Sequence, residues 1–439
     1  MDAVLRALQS SAADGGRIPI IWSAAKREEL RRVARGEQAA SVPVDRVLAP
    51  LLLACTEGQF FEAEVAIFDL LRHNLVECGR GGETFISFLF AVFVLQRFEV
   101  LAALLAARYG FSRPLEMGVQ RDGPGLGRVR WDILPSGTHR FTFDATAFEN
   151  DETRIEILAF QWEFPVYANY AAQAEQETGT VIINQKDIGQ TPGLAWCENR
   201  PDYFLIPDCA FVPSRGYAHT RRVMAEKRVS WQERKAVAFW RGATTGVPSV
   251  PGDWRTLERV RLCELARRYE HTGLVDIGLS AVKQFSNPAT LQQIQESGLM
   301  RGFVPWETWS EYKYLVEIDG NCNSWSNLFQ RLLTGSPVLR VESLRGLSQW
   351  FYDELVPWGN YVPIAPDLSD LMDKIVWLRR NDGAAQRIGQ GGLALAEHLT
   401  YERELERSAA VITSAFRYFN GRPEGVGPFG RAAGGDATI

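Results

Sequence analysis

The chain has 439 residues, 46% hydrophobic and 23% charged, with a net charge of −5 and no block of like charges. That length allows two domains and a further part, and the composition is that of a globular protein. The charge balance argues against a dedicated nucleic-acid binder, which carries a basic face.

Residues 1–125 are rich in Ala, Leu, Glu and Arg with helical periodicity. "AKREELRRVARGEQ", "FEAEVAIFDLLRHNL" and "FISFLFAVFVLQRFEVLAALLAARYG" predict helices separated by polar or glycine-bearing breaks, hence an all-α region without a convincing internal repeat. The N-terminus lacks the apolar core of a secretory signal. The longest apolar run, 85–95, is shorter than the roughly 20 residues that span a bilayer. These features predict a cytoplasmic protein. The first ten residues can form a short amphipathic helix, which leaves peripheral contact with the inner membrane face open.

"RDGPGLG" (121–127) reads as a linker. Beyond it, "RVRWDIL" and "HRFTFDA" predict paired strands joined by the turn "PSGT", and "TRIEILAF" and "GTVIINQ" predict more strands. From residue 236 strands alternate with helices: "AVAFWRG", a helix over 254–270, "GLVDIGL", a strand over 314–318, a helix bearing Leu328, Phe329, Leu332 and Leu333, a strand over 338–341, "YVPI", and a helix over 368–380 capped by Asp367. Such alternation predicts an α/β domain with a parallel sheet. A last helix carries Leu405, Ala409, Ile412, Phe416 and Phe419, and the Gly/Pro-rich tail reads as disordered. The predicted domains are 1–125, 126–235, 236–420 and a tail at 421–439.

Six cysteines lie without CxxC spacing and five histidines without metal-ligand spacing, so a zinc site and a thioredoxin-like centre are poor readings. The sequence shows no nucleophile elbow and no GxGxxG fingerprint.

Two strand-to-helix turns combine glycines with polar groups. "FWRGATTG" (239–246) supplies Arg241, Gly242, Thr244, Thr245 and Gly246, a set that suits a phosphate, although a structural turn with a surface arginine explains it equally. "DGNCNSWS" (319–326) supplies Asp319, Gly320, Ser324, Trp325 and Ser326; Ser324 is placed to cap the next helix, whose start would then attract an anion. Trp325 is either a stacking wall or a core residue. A third feature, "TVIINQKDIGQTP" (180–192), ends an apolar strand on Asp187, which fits a general base or an ordinary turn carboxylate beside Gly189.

Together, "VIINQKD", "FWRGATTG", "KYLVEIDGNCNSWSNLFQRLLTGSPVLRV", "QWFYDELVPWGNYVPI" with "DLSDLMDKIVWLRRND", and "AAQRIG" resemble glycosyltransferase family 90 in order and spacing, over about 150–420. That family holds Rumi-type protein O-glucosyltransferases, capsule-associated xylosyltransferases and bacterial enzymes assigned to lipopolysaccharide or capsule. The resemblance implies a GT-B fold, with two Rossmann-like domains facing a cleft. It also implies inverting transfer of glucose or xylose from a UDP-sugar to a glycan hydroxyl, without cofactor or metal. Asp187 matches the catalytic aspartate, Arg241 the diphosphate arginine, and 324–326 the donor loop. This chain departs from the pattern where many members carry a basic residue, at Asn327 and Leu328; Arg331, one turn on, is the candidate substitute. A family member without catalysis, binding a nucleotide sugar or glycan, is the alternative.

Overall fold

The computed structural model describes residues 115–120, 123–125, 127–144, 177–208, 211 and 216–421, with isolated positions at 32 and 37. The helices predicted over 1–125, the strand predicted over "TRIEILAF" and the predicted tail lie outside the described residues. The chain divides into two compact units: Met1–Trp196, Pro201–Arg215 and Leu405–Ile439 form one, Cys197–Arg200 and Gly216–Glu404 the other.

The first unit is built on a mixed six-stranded sheet of order β1-β3-β2-β4-β5-β6. Its strands are β1 (Leu115–Gln120), β2 (Arg128–Ile133), β3 (His139–Asp144), β4 (Gly179–Asn184), β5 (Gly193–Ala195) and β6 (Tyr203–Leu205). The predicted hairpin is present: β2 pairs antiparallel with β3, and the turn closes through Leu134 N–H to the Thr138 carbonyl at 2.9 Å. β2 is antiparallel to β4 as well, whereas β4, β5 and β6 run parallel. This sheet therefore departs from a purely parallel Rossmann-like half, because a tight turn forces its two strands to run in opposite directions. Val129, Trp131 and Ile133 alternate inward along β2. The Trp131 ring stacks on Phe141 and meets Phe416 edge-on, each at 5.1 Å, so the last helix, α7 (Tyr401–Phe419), closes this core.

The second unit carries an all-parallel five-stranded sheet of order β11-β10-β9-β7-β8. Its strands are β7 (Lys235–Ala243), β8 (Val275–Ala281), β9 (Tyr312–Glu317), β10 (Val338–Val341) and β11 (Val362–Ile364). The helices are α1 (Ala218–Lys227), α2 (Glu258–Arg268), α3 (Pro288–Glu296), α4 (Ser326–Leu333), α5 (Leu371–Arg380) and α6 (Asp382–His398). Apolar residues on both faces of the sheet are buried, as a helix-covered parallel sheet requires, and Ala238, Leu279, Tyr314, Val316, Leu339 and Ile364 join one cluster. The chain goes from β7 outward to β8, then returns to the other side of β7 for β9, β10 and β11. The direction of winding thus reverses between β7 and β9, and an open parallel sheet has a crevice at the carboxyl ends of such strands.

Two predicted helices start later than their sequences suggest. The segment from 254 opens as a 3-10 turn (Trp254–Thr256), Leu257 is extended, and only then does α2 begin. In place of a helix capped by Asp367, the Asp367 carboxylate accepts from Ser369 N–H at 3.0 Å, Leu368 takes a left-handed φ of 65°, and α5 starts at Leu371. Burial of the Leu368 side chain accompanies that backbone strain. Among the described residues no helix is long and apolar enough to cross a membrane.

Helix α6 carries glycines where it meets other backbone. A Cβ on Gly389 would stand 2.3 Å from the Gly335 carbonyl oxygen, at the end of α4. Glycine in mid-helix costs about 1 kcal/mol against alanine, and here it permits backbone contact that no side chain would. Gly389→Ala is expected to lower stability by about 1–3 kcal/mol, the usual cost of overpacking, read as an earlier midpoint in denaturant unfolding.

Candidate functional site

In the first unit, Asp187 lies half-buried in a bend just past β4. Its loop is closed by one side chain. Asn184, fully buried at the end of β4, accepts from Gln190 N–H (2.9 Å) and Thr191 N–H (3.1 Å) and donates to the carbonyls of Thr191 (2.8 Å) and Leu194 (2.9 Å). Gln185 N–H binds the Gly127 carbonyl at 2.7 Å, and Arg128 donates to the Thr191 hydroxyl at 2.8 Å. The carboxylate is therefore carried by a fastened loop on a rigid strand end, the setting a positioned acid or base needs. Nothing in the local sequence marks Asn184 for this task, because its partners are set by how the loop folds back.

In the second unit, the loops after β7 and β9 leave the sheet at its winding reversal and are joined by Arg259 of α2. This guanidinium donates to the Asp319 carbonyl (2.9 Å), the Thr245 hydroxyl (2.6 Å), and more distantly to the carbonyls of Ala243 (3.3 Å) and Ile318 (3.4 Å). Burial lowers its pKa, which Glu317 and Asp319 counter. Gly320 leaves room for it: a Cβ there would lie 2.8 Å from an Arg259 nitrogen. A second tie uses Gly246 N–H, shared by Gln284 Oε1 (2.9 Å) and Asn321 Oδ1 (3.0 Å), so the loops after β7, β8 and β9 are linked. Arg345 donates to the Gly320 carbonyl at 3.0 Å.

Several expected ligand groups turn out to hold the loops themselves. The Thr244 hydroxyl is fully buried, donating to the Lys283 carbonyl and accepting its N–H, each at 2.8 Å. Arg241 Nε donates to Gly302 O (3.2 Å), Nη1 to Trp240 O and Asp276 O (2.9 Å each), and Nη2 to the Asp276 carboxylate. Four of the five N–H donors of that fork are thus engaged within the protein. Arg331 points inward: it is 4% exposed, pairs with Glu317 at 2.7 Å and lies over the Trp309 ring. It therefore does not reach outward to replace the basic residue absent at Asn327 and Leu328. Ser324 is not the helix cap either. Trp325 occupies the N-cap position, half-exposed with a strained φ of 46°, and Ser326 opens α4.

What remains around the start of α4 is polar and unsatisfied. Ser324 Oγ and Asp319 Oδ2 are buried without a hydrogen-bond partner, their residues 5% and 8% exposed. The other carboxylate oxygen, Asp319 Oδ1, accepts from Asn323 Nδ2 at 3.0 Å, and Asn323 Oδ1 faces the Cys197 thiol at 3.0 Å. Buried groups of this kind carry a penalty unless something binds them. The first turn of α4 adds a partial positive charge, although its Asn327 N–H is taken by the Ser324 carbonyl at 2.9 Å.

The interior beneath is rich in cations. Arg259, Arg331, Arg340 and Arg345 face Glu258, Glu317 and Asp319. Burial raises the Glu317 carboxyl to about 7, an effect that Arg331 and Arg259 only partly offset, and burial raises Glu258 also. Protonation of either carboxyl leaves more net positive charge behind the loops, a field favourable to an anion.

Sequence inspection passes over Arg259, because in "ERVRLCELARR" it reads as one of several surface arginines; its partners lie 14 and 60 residues away. Arg259→Met is expected to cost about 2–5 kcal/mol of stability by leaving the carbonyl of buried Asp319 and the half-buried Thr245 hydroxyl without their donor, measured by urea unfolding. Glu317 sets a pH dependence. Its folded pKa of about 7 stands above the ordinary 4.5, so its contribution to stability is full below pH 4.5 and is lost as pH rises through 7. Unfolding free energy measured against pH should fall across that window, and Glu317→Gln should remove that part of the slope.

Comparison with known proteins matches residues 200–405 to the family model of glycosyl transferase family 90. Asp187 lies ahead of the matched segment. Uncharacterized protein 035R of Invertebrate iridescent virus 3 is 30% identical over 213 residues, 45% of this chain and 18% of that protein. Protein O-glucosyltransferase 2 of Danio rerio is 27% identical over 214 residues, covering 47% and 39% of the two chains. Protein O-glucosyltransferase 3 of Homo sapiens is 31% identical over 176 residues, covering 40% and 31%. The match thus spans 18% to 39% of the length of these relatives. The matched segment, residues 200–405, is the one that builds the parallel sheet and both of its polar loops, and over it the chain is similar to glycosyl transferase family 90.

Proposed function

We propose that the second unit binds a UDP-sugar at the loops after β7 and β9, and that the protein transfers the sugar to an acceptor hydroxyl with inversion at the anomeric carbon. The observation that carries this reading is the pair of buried, unpartnered atoms, Ser324 Oγ and Asp319 Oδ2, at the start of α4 on the carboxyl edge of a parallel sheet. Ser324 Oγ and the partial positive charge at the start of α4 suit the diphosphate, and Asp319 Oδ2 suits a ribose or sugar hydroxyl. Trp325 offers a half-exposed indole for stacking.

Arg241 acts mainly through its loop in this reading. Its one uncommitted N–H is left for the ligand, while Thr244, Thr245 and Gly246 hold the loop against its neighbours. Gly242, within β7, keeps its backbone clear of the Trp240 ring, which a Cβ would meet at 2.4 Å. No metal or other cofactor is required where helix N–H groups and buried arginines carry the charge of the leaving group.

Asp187 takes the acceptor proton as the oxygen forms its bond to the anomeric carbon. The bond from that carbon to the UDP oxygen breaks, its electron pair leaving with the diphosphate. Glucose is the first donor to test, since two of the relatives named above are protein O-glucosyltransferases; xylose is the second. The acceptor is a glycan of the lipopolysaccharide or capsule type. A protein hydroxyl is the competing acceptor, favoured by the names of those same relatives.

Purified protein incubated with UDP-glucose and UDP-xylose should release UDP, slowly by hydrolysis and faster with an acceptor; affinity for neither nucleotide sugar would refute the reading. Asp187→Asn should lower transfer by about 100- to 10,000-fold, the usual share of a general base, with UDP affinity unchanged. Turnover close to wild type in that variant would show that another group removes the proton.

A further inference from the structure

The second unit has another concavity, at the opposite edge of its sheet. A cavity of about 350 Å³ is lined by Trp358, Gly359, Trp377, Ala384, Arg387 and Ile388. Trp358 lies in the loop entering the amino end of β11, and Trp377 in the last turn of α5, which runs back from that strand's carboxyl end. The cavity is therefore separated from the loops after β7 and β9 by the length of the strands.

Its walls are unusual for a surface. Trp358 and Trp377 remain 42% and 39% exposed, with ring centroids 5.0 Å apart and planes at 75°. Two indoles meeting nearly at right angles, edge to face, present two apolar walls, and the Lys374 ammonium lies over the Trp358 ring at 5.9 Å. Trp358 is also held in a left-handed backbone, φ 62°, with its N–H on the Tyr361 carbonyl at 2.7 Å. Asn360 locks that loop, donating to the Glu354 carbonyl (2.9 Å) and accepting Val356 N–H (2.8 Å). Strain kept in place by surrounding bonds, on a residue whose large side chain faces solvent, marks a group positioned for contact. Arg387, on the lining, is exposed and has no hydrogen bond or ion pair among the described residues. Nearby Lys374 is not comparable, because its ammonium is tied to Asp370 and to the Pro363 carbonyl.

We propose that this cavity is a second saccharide site that takes a pyranose bearing an anionic group, a uronate or a sugar phosphate. The C–H face of a pyranose lies flat on one indole while the other closes its side. The planar guanidinium of Arg387 then meets the carboxylate or phosphate through two parallel N–H donors. The volume lies at the lower end of the range for small-molecule pockets, which fits one or two sugar rings. The assignment stands apart from the nucleotide-sugar reading, since it uses other residues at the other edge of the sheet.

The test is a titration of the full chain with a glucuronate-containing oligosaccharide, with its neutral glucose counterpart and with glucose 6-phosphate, read by calorimetry and saturation-transfer NMR. Wild type should bind both acidic ligands more tightly than the neutral one. Arg387→Ala should weaken acidic ligands by about tenfold, the value of a charge-assisted hydrogen bond, and bring them level with the neutral sugar. Trp377→Ala, at an exposed helix position, should remove binding of all three. UDP-sugar affinity, titrated in the same variants, should keep its wild-type value, so the two sites are judged separately. Equal affinity of wild type for acidic and neutral ligands, binding of none of them, or undiminished binding by Trp377→Ala would each overturn the proposal.

Discussion

The candidate site in the second unit depends on one buried guanidinium. Arg259 has lost its water and recovered the cost through hydrogen bonds to backbone and hydroxyl acceptors on both polar loops. A planar fork of fixed donors constrains two segments at once, which a point charge on a flexible stem does not. With that tie made, Gly320 and Asp319 have fixed places, and the Asp319 oxygen and the Ser324 hydroxyl are held open within the protein interior. Preorganisation of this kind places the cost of ordering the loops in folding rather than in ligand binding.

The sheet determines where that tie can act. A parallel strand order that reverses between β7 and β9 brings two carboxyl-end loops side by side, although they are about 80 residues apart in the chain. The same topology sends the C-terminal end of α5 and the entry to β11 to the opposite edge, where the paired indoles stand. One sheet thus exposes two chemically different edges. The first is lined by arginines, carbonyls and helix N–H groups, the second by aromatic rings and a lone guanidinium.

In the first unit the corresponding constraint is the carboxamide of Asn184. Four hydrogen bonds from one buried side chain close the loop that carries Asp187. Both units therefore follow one rule. A polar side chain turned inward, fully buried in Asn184 and half-buried in Arg259, satisfies loop backbone, and the residues suited to chemistry sit on the loop it holds.

Local sequence determined the elements. β10 lies at 338–341 as its pattern requires, and Leu328, Phe329, Leu332 and Leu333 are all buried, since apolar spacing and the breakers Gly335 and Pro337 act over a few residues. The ordered motifs from 239 onward likewise carried the resemblance that the family match over 200–405 repeats. Roles within the loops were decided only by tertiary structure. Arg241, Thr244 and Arg331 have the side chains of anion ligands, yet Asp276, Lys283 and Glu317 take up their donors. Arg259 looks like a surface residue and is instead the buried clasp. A side chain's hydrogen-bonding capacity can be read from its type, but the partner that consumes it comes from a distant part of the chain, and burial decides whether that capacity is turned inward or left for a ligand.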